Sequence, residues 1–220
     1  LQPGQYLALG RYPQTRDESN CTSIEWLILK REKQRLLIIS RNGLDAQPYN
    51  NIWNDVTWEK STLRTWLNST FYSKAFTPAE QISILTTTVN NGENNCYSKW
   101  NTNGGNSTRD KVFLLSCIEA NNYLGVINNS DYIGAIKNNL KSRTAPTMYA
   151  TGHGAYANPR DKTTDGVSAG WWWLRSPGNS QTNAAYVSTD GSLFYGDVTF
   201  ASGLVRPAMW VDLESLIFQA

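Results

Sequence analysis

The sequence predicts an α+β fold with short antiparallel sheets, two or three short helices and long loops. Three observations predict this class: apolar strand-like runs near the N-terminus, two helix starts with capping boxes, and 22 Asn among the 220 residues. Asn favours turns and left-handed backbone positions, so this content indicates many loops. The composition does not shift along the chain, which predicts one domain over residues 1–220.

The N-terminal part is predicted to form a meander of three strands, at residues 5–10, 24–29 and 35–40. Residues 30–33 carry the charged sequence KREK, which suits the tip of a hairpin rather than a nucleic-acid patch.

A short helix should follow the meander. Leu63, Trp66, Leu67 and Phe71 recur at helical spacing, which places them on one apolar face of a helix that begins near Ser61. We expect this face to pack in the core.

Two capping boxes mark further helix starts. Thr77 and Glu80 form the first, and Ser116 and Glu119 form the second, because in each pair the two side chains can cap each other's backbone N–H groups. The helices should end by residue 85 and near residue 123. Residues 111–115, KVFLL, predict a buried strand just before the second helix.

The C-terminal part predicts a hairpin and a last strand. The pair Asp190-Gly191 supplies the positive φ of a tight turn and should join a strand at Tyr186 to one at Phe194. Residues 204–213 predict a final, mostly buried strand.

Charge and chemistry-bearing residues exclude several function classes. The net charge of +2 comes without Lys/Arg clusters, so no nucleic-acid partner is expected. The single His153 argues against His-based catalysis or a multi-His metal site, and we expect it to be an exposed polar residue. Cys21, Cys96 and Cys117 are not spaced as a zinc site, although one disulfide plus one free thiol stays open. No metal and no cofactor is predicted.

No membrane insertion is expected, because the longest apolar run covers only a few residues around positions 36–39. The first residues, LQPG, lack the pattern of a secretion signal, which fits either a cytoplasmic protein or a piece of a longer one.

Several segments resemble one family. They are residues 172–178 (WWLRSPG), 184–187 (AAYV), 190–191 (DG) and 205–208 (VRPA), with further matches at residues 9–14, 58–68, 76–80, 113–120 and 149–150. Through them the chain resembles a widespread uncharacterised bacterial domain that ends in WWLRSPG and GVRPA. That domain is similar to the C-type lectin fold, in the branch shared with formylglycine-generating enzymes. The branch includes variable ligand-binding proteins of diversity-generating retroelements in phages and bacteria.

Two departures from the family pattern matter. Leu204 is an extra residue within the GVRP motif. The formylglycine-generating relatives need a closely spaced Cys pair near the C-terminus, and this chain has no Cys after Cys117. The resemblance therefore implies a non-catalytic protein. A glycosidase with two carboxylates would be the enzymatic alternative, but no spacing singles out a pair.

Retroelement diversification predicts a signature in the composition. Randomised adenines in AAC codons never produce Glu, Lys, Gln, Met or Trp. These five types make up 36 of the 220 residues, yet none occurs from residue 182 to residue 207. The resemblance thus implies a variable segment at about residues 170–207.

Within this segment, ten residues stand where the family often has Asn, and all can be reached from AAC codons. The predicted ligand-binding residues are Ser188, Thr189, Leu193, Phe194, Tyr195, Asp197, Thr199, Phe200, Ala201 and Ser202. Large apolar side chains of this kind dominate interface energetics. Tyr195 and Phe200 are the best candidates for exposure because their neighbours are polar. The alternative is that these residues alternate into the core as ordinary strand residues.

A rigid scaffold should carry this surface. Trp172 and Trp173 are expected to pack in the core, on opposite sides of a strand, although Trp rings can also stack on sugars. Arg175 and Arg206 lie among apolar residues and should bind a carboxylate or backbone carbonyls. Possible acceptors are Asp190 and Asp212.

The triplet Trp53-Asn54-Asp55 matches the WND motif of sugar-binding C-type lectins, in which Asn and Asp oxygens hold calcium. It lies in the first third of the chain and no EPN or QPD triplet accompanies it. Calcium is therefore not expected.

Taken together, the sequence predicts a ligand-binding display protein at a bacterial cell surface or on a phage particle. Its expected partner is a protein or other surface ligand of another cell or particle, with a glycan as the alternative ligand. The alternative function is an invariant carbohydrate- or cell-wall-binding module of a bacterial surface protein.

Overall fold

The computed structural model describes residues 1–92, 101–126 and 139–215, and the elements below refer to these ranges. The strands are β1 (Tyr6–Pro13), β2 (Cys21–Glu32), β3 (Arg35–Ser40), β4 (Asp45–Ala46), β5 (Thr87–Val89), β6 (Thr108–Asp110), β7 (Ala157–Lys162), β8 (Ser168–Gly170), β9 (Trp172–Pro177), β10 (Asn183–Val187), β11 (Leu193–Asp197), β12 (Leu204–Val205) and β13 (Ala208–Asp212). The helices are α1 (Thr62–Trp66), α2 (Tyr72–Ala75), α3 (Pro78–Ser83), α4 (Cys117–Leu124) and α5 (Met148–Gly152). The α+β class agrees with the sequence prediction.

The N-terminal meander is confirmed. Strands β1, β2 and β3 pair antiparallel in this order, and β13 adds to the free side of β3. The β2–β3 hairpin turns at Lys33, whose φ of 51° is left-handed, inside the predicted charged tip. The last strand thus closes the sheet that the first strands begin.

A second sheet has the strand order β11-β10-β9-β12-β4. Its pairs are antiparallel except for the short parallel contact between β12 and β9. Two small hairpins, β5–β6 and β7–β8, lie outside these sheets. Among the described residues, β11 is an edge strand of this sheet, and an edge strand can make further contacts on its outer side.

The predicted strand at residues 204–213 is in fact two strands in two sheets. The chain leaves the second sheet after β12, passes Arg206-Pro207 and enters the first sheet as β13. Pro207 has no N–H for a ladder, but its carbonyl accepts from Ser40 N–H at 2.9 Å. This short passage couples the two sheets.

The helix predicted near Ser61 is confirmed. Ser61 is its N-cap and accepts from Arg64 N–H, and α1 continues through a π-helical segment, Leu67–Phe71, into α2. Leu63, Leu67 and Phe71 are buried, as the spacing predicts, whereas Trp66 is half-buried.

Both capping boxes are confirmed, at Thr77 with Glu80 and at Ser116 with Glu119. Helix α5 was not predicted; it begins after Thr147, whose side chain caps Ala150 N–H at 3.0 Å.

The strand predicted at residues 111–115 is wrong. Residues 112–115 are buried, but among the described residues only an isolated bridge pairs Phe113 with Ala208. The carbonyl oxygens of Leu114 and Leu115 instead accept from the side chain and the backbone N–H of Arg175, at 2.8 and 2.9 Å. These carbonyl groups are therefore satisfied by Arg175 and not by a ladder of hydrogen bonds to a neighbouring strand.

The core joins both sheets and the helices, and its largest members are aromatic. Trp26, Trp58, Trp172 and Trp173 have no solvent exposure, and Tyr49 packs between Trp58 and Trp173 with ring centroids about 6 Å away. Among the described residues, none of the helices is long and apolar enough to cross a membrane.

Candidate functional site

The predicted hairpin at the C-terminal end forms the base of the candidate site. Tyr186 pairs with Phe194 across β10 and β11. Gly191 has a φ of +86° and its N–H donates to the Ser188 carbonyl at 2.9 Å. Asp190 stabilises the turn by accepting from the Ser192 hydroxyl at 2.6 Å. The Asp-Gly turn therefore acts as the sequence predicts.

Aromatic rings connect this hairpin to the core. The Tyr186 ring lies 4.7 Å from that of Trp171, 6.0 Å from that of Trp173 and 5.6 Å from that of Phe194. Burial, together with the charge of Asp190, raises the pKa of Tyr186 to about 12. The phenol is thus neutral at physiological pH, and the row of rings gives the exposed Phe194 a rigid support.

A tight turn after β11 presents Phe200. The Asp197 carboxylate accepts from the backbone N–H and the hydroxyl of Thr199 at 2.9 and 2.7 Å, and Phe200 N–H donates to the Asp197 carbonyl. The Phe200 ring lies over Gly196, where a Cβ would be 3.1 Å from both this ring and the Tyr186 ring. Gly196 thus makes room for the two rings on one side of the hairpin.

The ten predicted ligand-binding residues divide by exposure. Phe194 (38%) and Phe200 (50%) are exposed, as is Ala201. Half-buried are Ser188, Tyr195, Asp197, Thr199 and Ser202. Of the two strongest candidates for exposure, Phe200 is exposed and Tyr195 is half-buried, with its ring nearly parallel to that of Phe194. We name the set Phe194, Tyr195, Thr199, Phe200, Ala201 and Ser202 the hairpin surface.

Two of the ten residues are buried and do not contribute to this surface. Leu193 is buried because it pairs with Val187 and points to the core side of the sheet. Thr189 is also buried, and its hydroxyl donates to the Asp161 carboxylate at 2.6 Å. For Leu193 the alternative interpretation, an ordinary strand residue facing the core, is the correct one.

The two tryptophans of the predicted scaffold are buried, and each indole N–H has a backbone acceptor. Trp172 donates to the Ser142 carbonyl at 2.9 Å and Trp173 to the Gln47 carbonyl at 3.0 Å. Because adjacent residues of a strand point to opposite faces, the pair anchors both faces of β9.

Arg175 holds the start of α4 against β9. Its guanidinium forms a bidentate ion pair with Glu119, the acidic member of the capping box, and donates to Asn91 Oδ1 at 3.1 Å. In addition, Cys117 N–H donates to the hydroxyl of Ser176 at 3.0 Å. The sequence predicts a carboxylate or backbone carbonyls as the acceptors of Arg175, and the structure has both: Glu119, and the carbonyl groups of Asn90 and Leu114.

The suggested acceptors Asp190 and Asp212 are wrong. Asp190 accepts from Ser192, and Asp212 accepts from Glu214 N–H at 3.0 Å. Arg206 uses a backbone carbonyl instead, since its Nε donates to the Ser40 oxygen at 2.8 Å. Both aspartates cap turns next to them in the sequence, so local geometry decides their partners.

Two segments from other parts of the chain hydrogen-bond to residues 198–202, and the sequence does not predict either contact. Tyr156 is 52% exposed, and its N–H donates to the Ser202 carbonyl at 3.2 Å. Trp53 is 65% exposed, in the loop that begins at Asn50, whose N–H donates to the Val198 carbonyl at 2.9 Å. Both contacts join residues far apart in the sequence, and no local pattern signals them.

The WND triplet does not form an evident cation site. Asn54 Oδ1 accepts from Asn50 Nδ2 at 2.9 Å, so this oxygen has a protein partner. Within the described residues, no three His, Cys, Asp or Glu side chains come together as metal ligands. His153 is exposed, as predicted, and its ring packs on Tyr149 with centroids 4.1 Å apart.

The three cysteines differ in their state. Cys21 is a free, half-buried thiol, whereas Cys117, buried at the first position of α4, is disulfide-bonded. Cys96 lies outside the described residues.

Comparison with known proteins places most of the chain in one family. A family model described as a domain of unknown function, DUF6273, matches residues 33–213. Neither the curated proteins nor the solved structures contain a match. The matched range begins in the β2–β3 hairpin and includes β13, so it holds the whole second sheet and the hairpin surface. The chain therefore belongs to the DUF6273 family.

Proposed function

We propose that this chain is a non-catalytic ligand-binding domain with a C-type lectin-like fold, and that its hairpin surface binds a protein on another cell or particle. The observation that carries the proposal is the exposure of Phe194 and Phe200 on one edge of a rigid aromatic core. Exposed aromatic side chains with a fixed support are typical anchors of protein interfaces.

The surroundings of these anchors support recognition rather than chemistry. The Thr199 hydroxyl is oriented by Asp197, and the neighbouring Ala201 and Ser202 are small. Small polar groups adapt to many partners, whereas the aromatic rings provide contact area at low conformational entropy cost. Short antiparallel sheets with short helices and long loops support the C-type lectin-like fold.

We further propose that a retroelement diversifies this surface. The buried residues Gly196 and Val198 alternate with the more exposed Tyr195, Asp197 and Thr199, so substitutions at the hairpin surface would leave the core intact. Sequencing the gene's neighbourhood tests this idea. A reverse transcriptase gene together with a near-repeat of the segment that encodes residues 170–207 is the expected result, and the absence of both would refute diversification.

Binding is tested with the fluorescently labelled chain on a panel of bacterial cells, measured by flow cytometry. The double variant Phe194→Ser/Phe200→Ser should lose binding at least tenfold, because truncating a hot-spot aromatic costs about 2 kcal/mol or more. The control Ile82→Ser removes an apolar side chain that is 79% exposed on α3, and it should bind as the wild type does. Equal binding by all three proteins would contradict the proposed surface.

Protease treatment of the cells separates the two ligand classes. Loss of binding after treatment is expected for a protein ligand. Binding that survives treatment would favour the carbohydrate-binding alternative. In that case a glycan array should give signals that Tyr156→Ala or Trp53→Ala abolishes. These two side chains are 52% and 65% exposed and can stack on sugar rings. Trp171 is unsuitable for this test because it is buried.

A further inference from the structure

A cavity of about 670 Å³ lies away from the hairpin surface, between β1, β2 and the tip of the β7–β8 hairpin. None of the ten predicted ligand-binding residues lines it. Its volume is within the range of roughly 300–1,000 Å³ that is usual for small-molecule sites. A ligand of this cavity would therefore be a small molecule.

Arg206 is the unusual member of the cavity wall. Its side chain is buried, its Nε donates to the Ser40 carbonyl, and its Nη1 is buried with no hydrogen-bond partner among the described residues. Its guanidinium lies 5.0 Å from the ring centroid of Trp172, which compensates part of the charge. Burial lowers the pKa of Arg206 to about 10, so the group is still protonated at neutral pH. A buried cation that no carboxylate of the described chain contacts is costly unless an anion joins it.

The carboxylates of the cavity wall already have another partner. Glu25 and Asp165 both bind Arg41, at 2.7 and 2.8 Å. Lys141 adds a further positive charge to the wall. Among the described residues of the wall, both carboxylates are thus bound by Arg41, whereas Arg206 and Lys141 have no carboxylate partner. This balance favours an anion.

The rest of the wall is suited to an apolar body. Leu124, Leu140 and Val167 line the cavity, and Leu140 and Val167 are 47% and 50% exposed. We propose that the cavity binds a small organic carboxylate, with the carboxylate at Arg206 and the apolar part against these side chains. A hydrogen bond between a guanidinium and an ionised carboxylate is charge-assisted, and it is therefore stronger than a hydrogen bond to a neutral amide.

The purified chain tests the proposal with hexanoate as the probe and hexanamide as its neutral counterpart. Hexanoate should bind roughly tenfold more tightly than hexanamide, as measured by ligand-observed NMR titration, because only the carboxylate pairs with the guanidinium. Equal affinities, or no binding by either probe, would overturn the proposal. Tighter binding of inorganic phosphate than of hexanoate would also overturn it, because the ligand class would then be a phosphate.

Variants locate the binding at the cavity. Arg206→Met should abolish the preference for hexanoate. Arg206 is buried, so this substitution also removes core contacts, and the exposed position 167 provides a second test. Val167→Glu adds a negative charge at the cavity wall and should weaken hexanoate binding roughly threefold or more, whereas the matched Val167→Gln should not. Equal binding by the Glu and Gln variants would place hexanoate elsewhere and refute the site. The double variant Phe194→Ser/Phe200→Ser should leave hexanoate binding unchanged. A negative result for the cavity can therefore be distinguished from a negative result for the hairpin surface.

Discussion

Arg175 and Arg206 show how two similar residues acquire different roles through their partners. Arg175 is buried and fully engaged, with Glu119, Asn91 and backbone carbonyls as acceptors. Arg206 is equally buried, but only its Nε has an acceptor within the described chain. The sequence places both in apolar segments, yet the long-range contacts decide that one holds a helix and the other faces a cavity.

Replacement of Glu119 by Gln should destabilise the protein, because it removes the charge that pairs with Arg175. We expect the free energy of unfolding in urea to fall by about 2 kcal/mol, as for the loss of a hydrogen bond to a charged group. The control is Glu80→Gln, since Glu80 occupies the same position in the other capping box without an Arg partner. Equal losses in the two variants would show that the capping box, and not Arg175, accounts for the effect.

Asp45 should make the protein less stable as the pH rises. Burial raises the pKa of Asp45, although a hydrogen bond from Tyr12 at 2.7 Å opposes this. The unfolded state therefore loses its proton first, and the stability that the protonated carboxyl contributes is lost as the pH rises from about 4 through the raised pKa. Urea titrations at several pH values measure the free energy of unfolding. Its decrease with rising pH that is due to Asp45 should be present in the wild type and absent from Asp45→Asn.

Asp17 provides the opposite case. Hydrogen bonds from the Ser19 side chain and backbone lower its pKa, so its contribution is present above the unfolded pKa and is lost as the pH falls. Asp17→Asn should thus reduce stability slightly at neutral pH and not in strong acid. If the contributions of Asp17 and Asp45 to stability changed in the same direction with pH, the opposite pKa shifts of the two carboxyl groups would be contradicted.

Among the elements, those with local signals are the ones that the sequence predicts well. The capping boxes at Thr77 and Ser116, the helix after Ser61 and the Asp190-Gly191 turn depend on neighbouring residues, and all are present. Elements that depend on distant partners are predicted poorly. The apolar pattern of residues 111–115 predicts a strand, but the carbonyl groups of Leu114 and Leu115 accept hydrogen bonds from Arg175 instead.

The turn between β10 and β11 can be tested by substitution of its glycine. Gly191→Ala should destabilise the protein, because its φ is +86° and a Cβ there would clash with the Asn139 carbonyl and lie 2.6 Å from Ser142 Oγ. Gly166 is the matched control, with a φ of +75° and no atom within 4 Å of such a Cβ. Gly166→Ala should cost roughly 1–2 kcal/mol from backbone strain alone, and Gly191→Ala clearly more. Equal melting temperatures would contradict the packing of this turn.

In the molecule as a whole, the passage from β12 to β13 connects the two sheets. Leu204, the residue that is extra relative to the family motif, is buried, and its side chain fills the space at Gly43 and Gly170, where no Cβ is present. The extra residue therefore has neighbours that accommodate it, and it belongs to the core.

Leu204→Ala should cost about 2–5 kcal/mol in the free energy of unfolding, because it removes buried methyl groups and leaves a cavity between the sheets. Ile82→Ala, at a position that is 79% exposed, should change it little. Tryptophan fluorescence and far-UV circular dichroism should give coincident transitions, since one core includes residues of both sheets. Separate transitions would show that the sheets unfold independently.

The α+β class, the N-terminal meander, the helix starts and the turn of the C-terminal hairpin are all predictable from the sequence, because each follows from periodicity or from contacts between near neighbours. The sequence also indicates the segment that carries the hairpin surface. Which side chains this segment exposes depends on the tertiary structure. Leu193 is buried by its pairing with Val187, Thr189 is held by Asp161, and Phe200 is displayed over Gly196. Burial and hydrogen bonding depend on partners that are distant in the chain, and a local pattern contains no information about them.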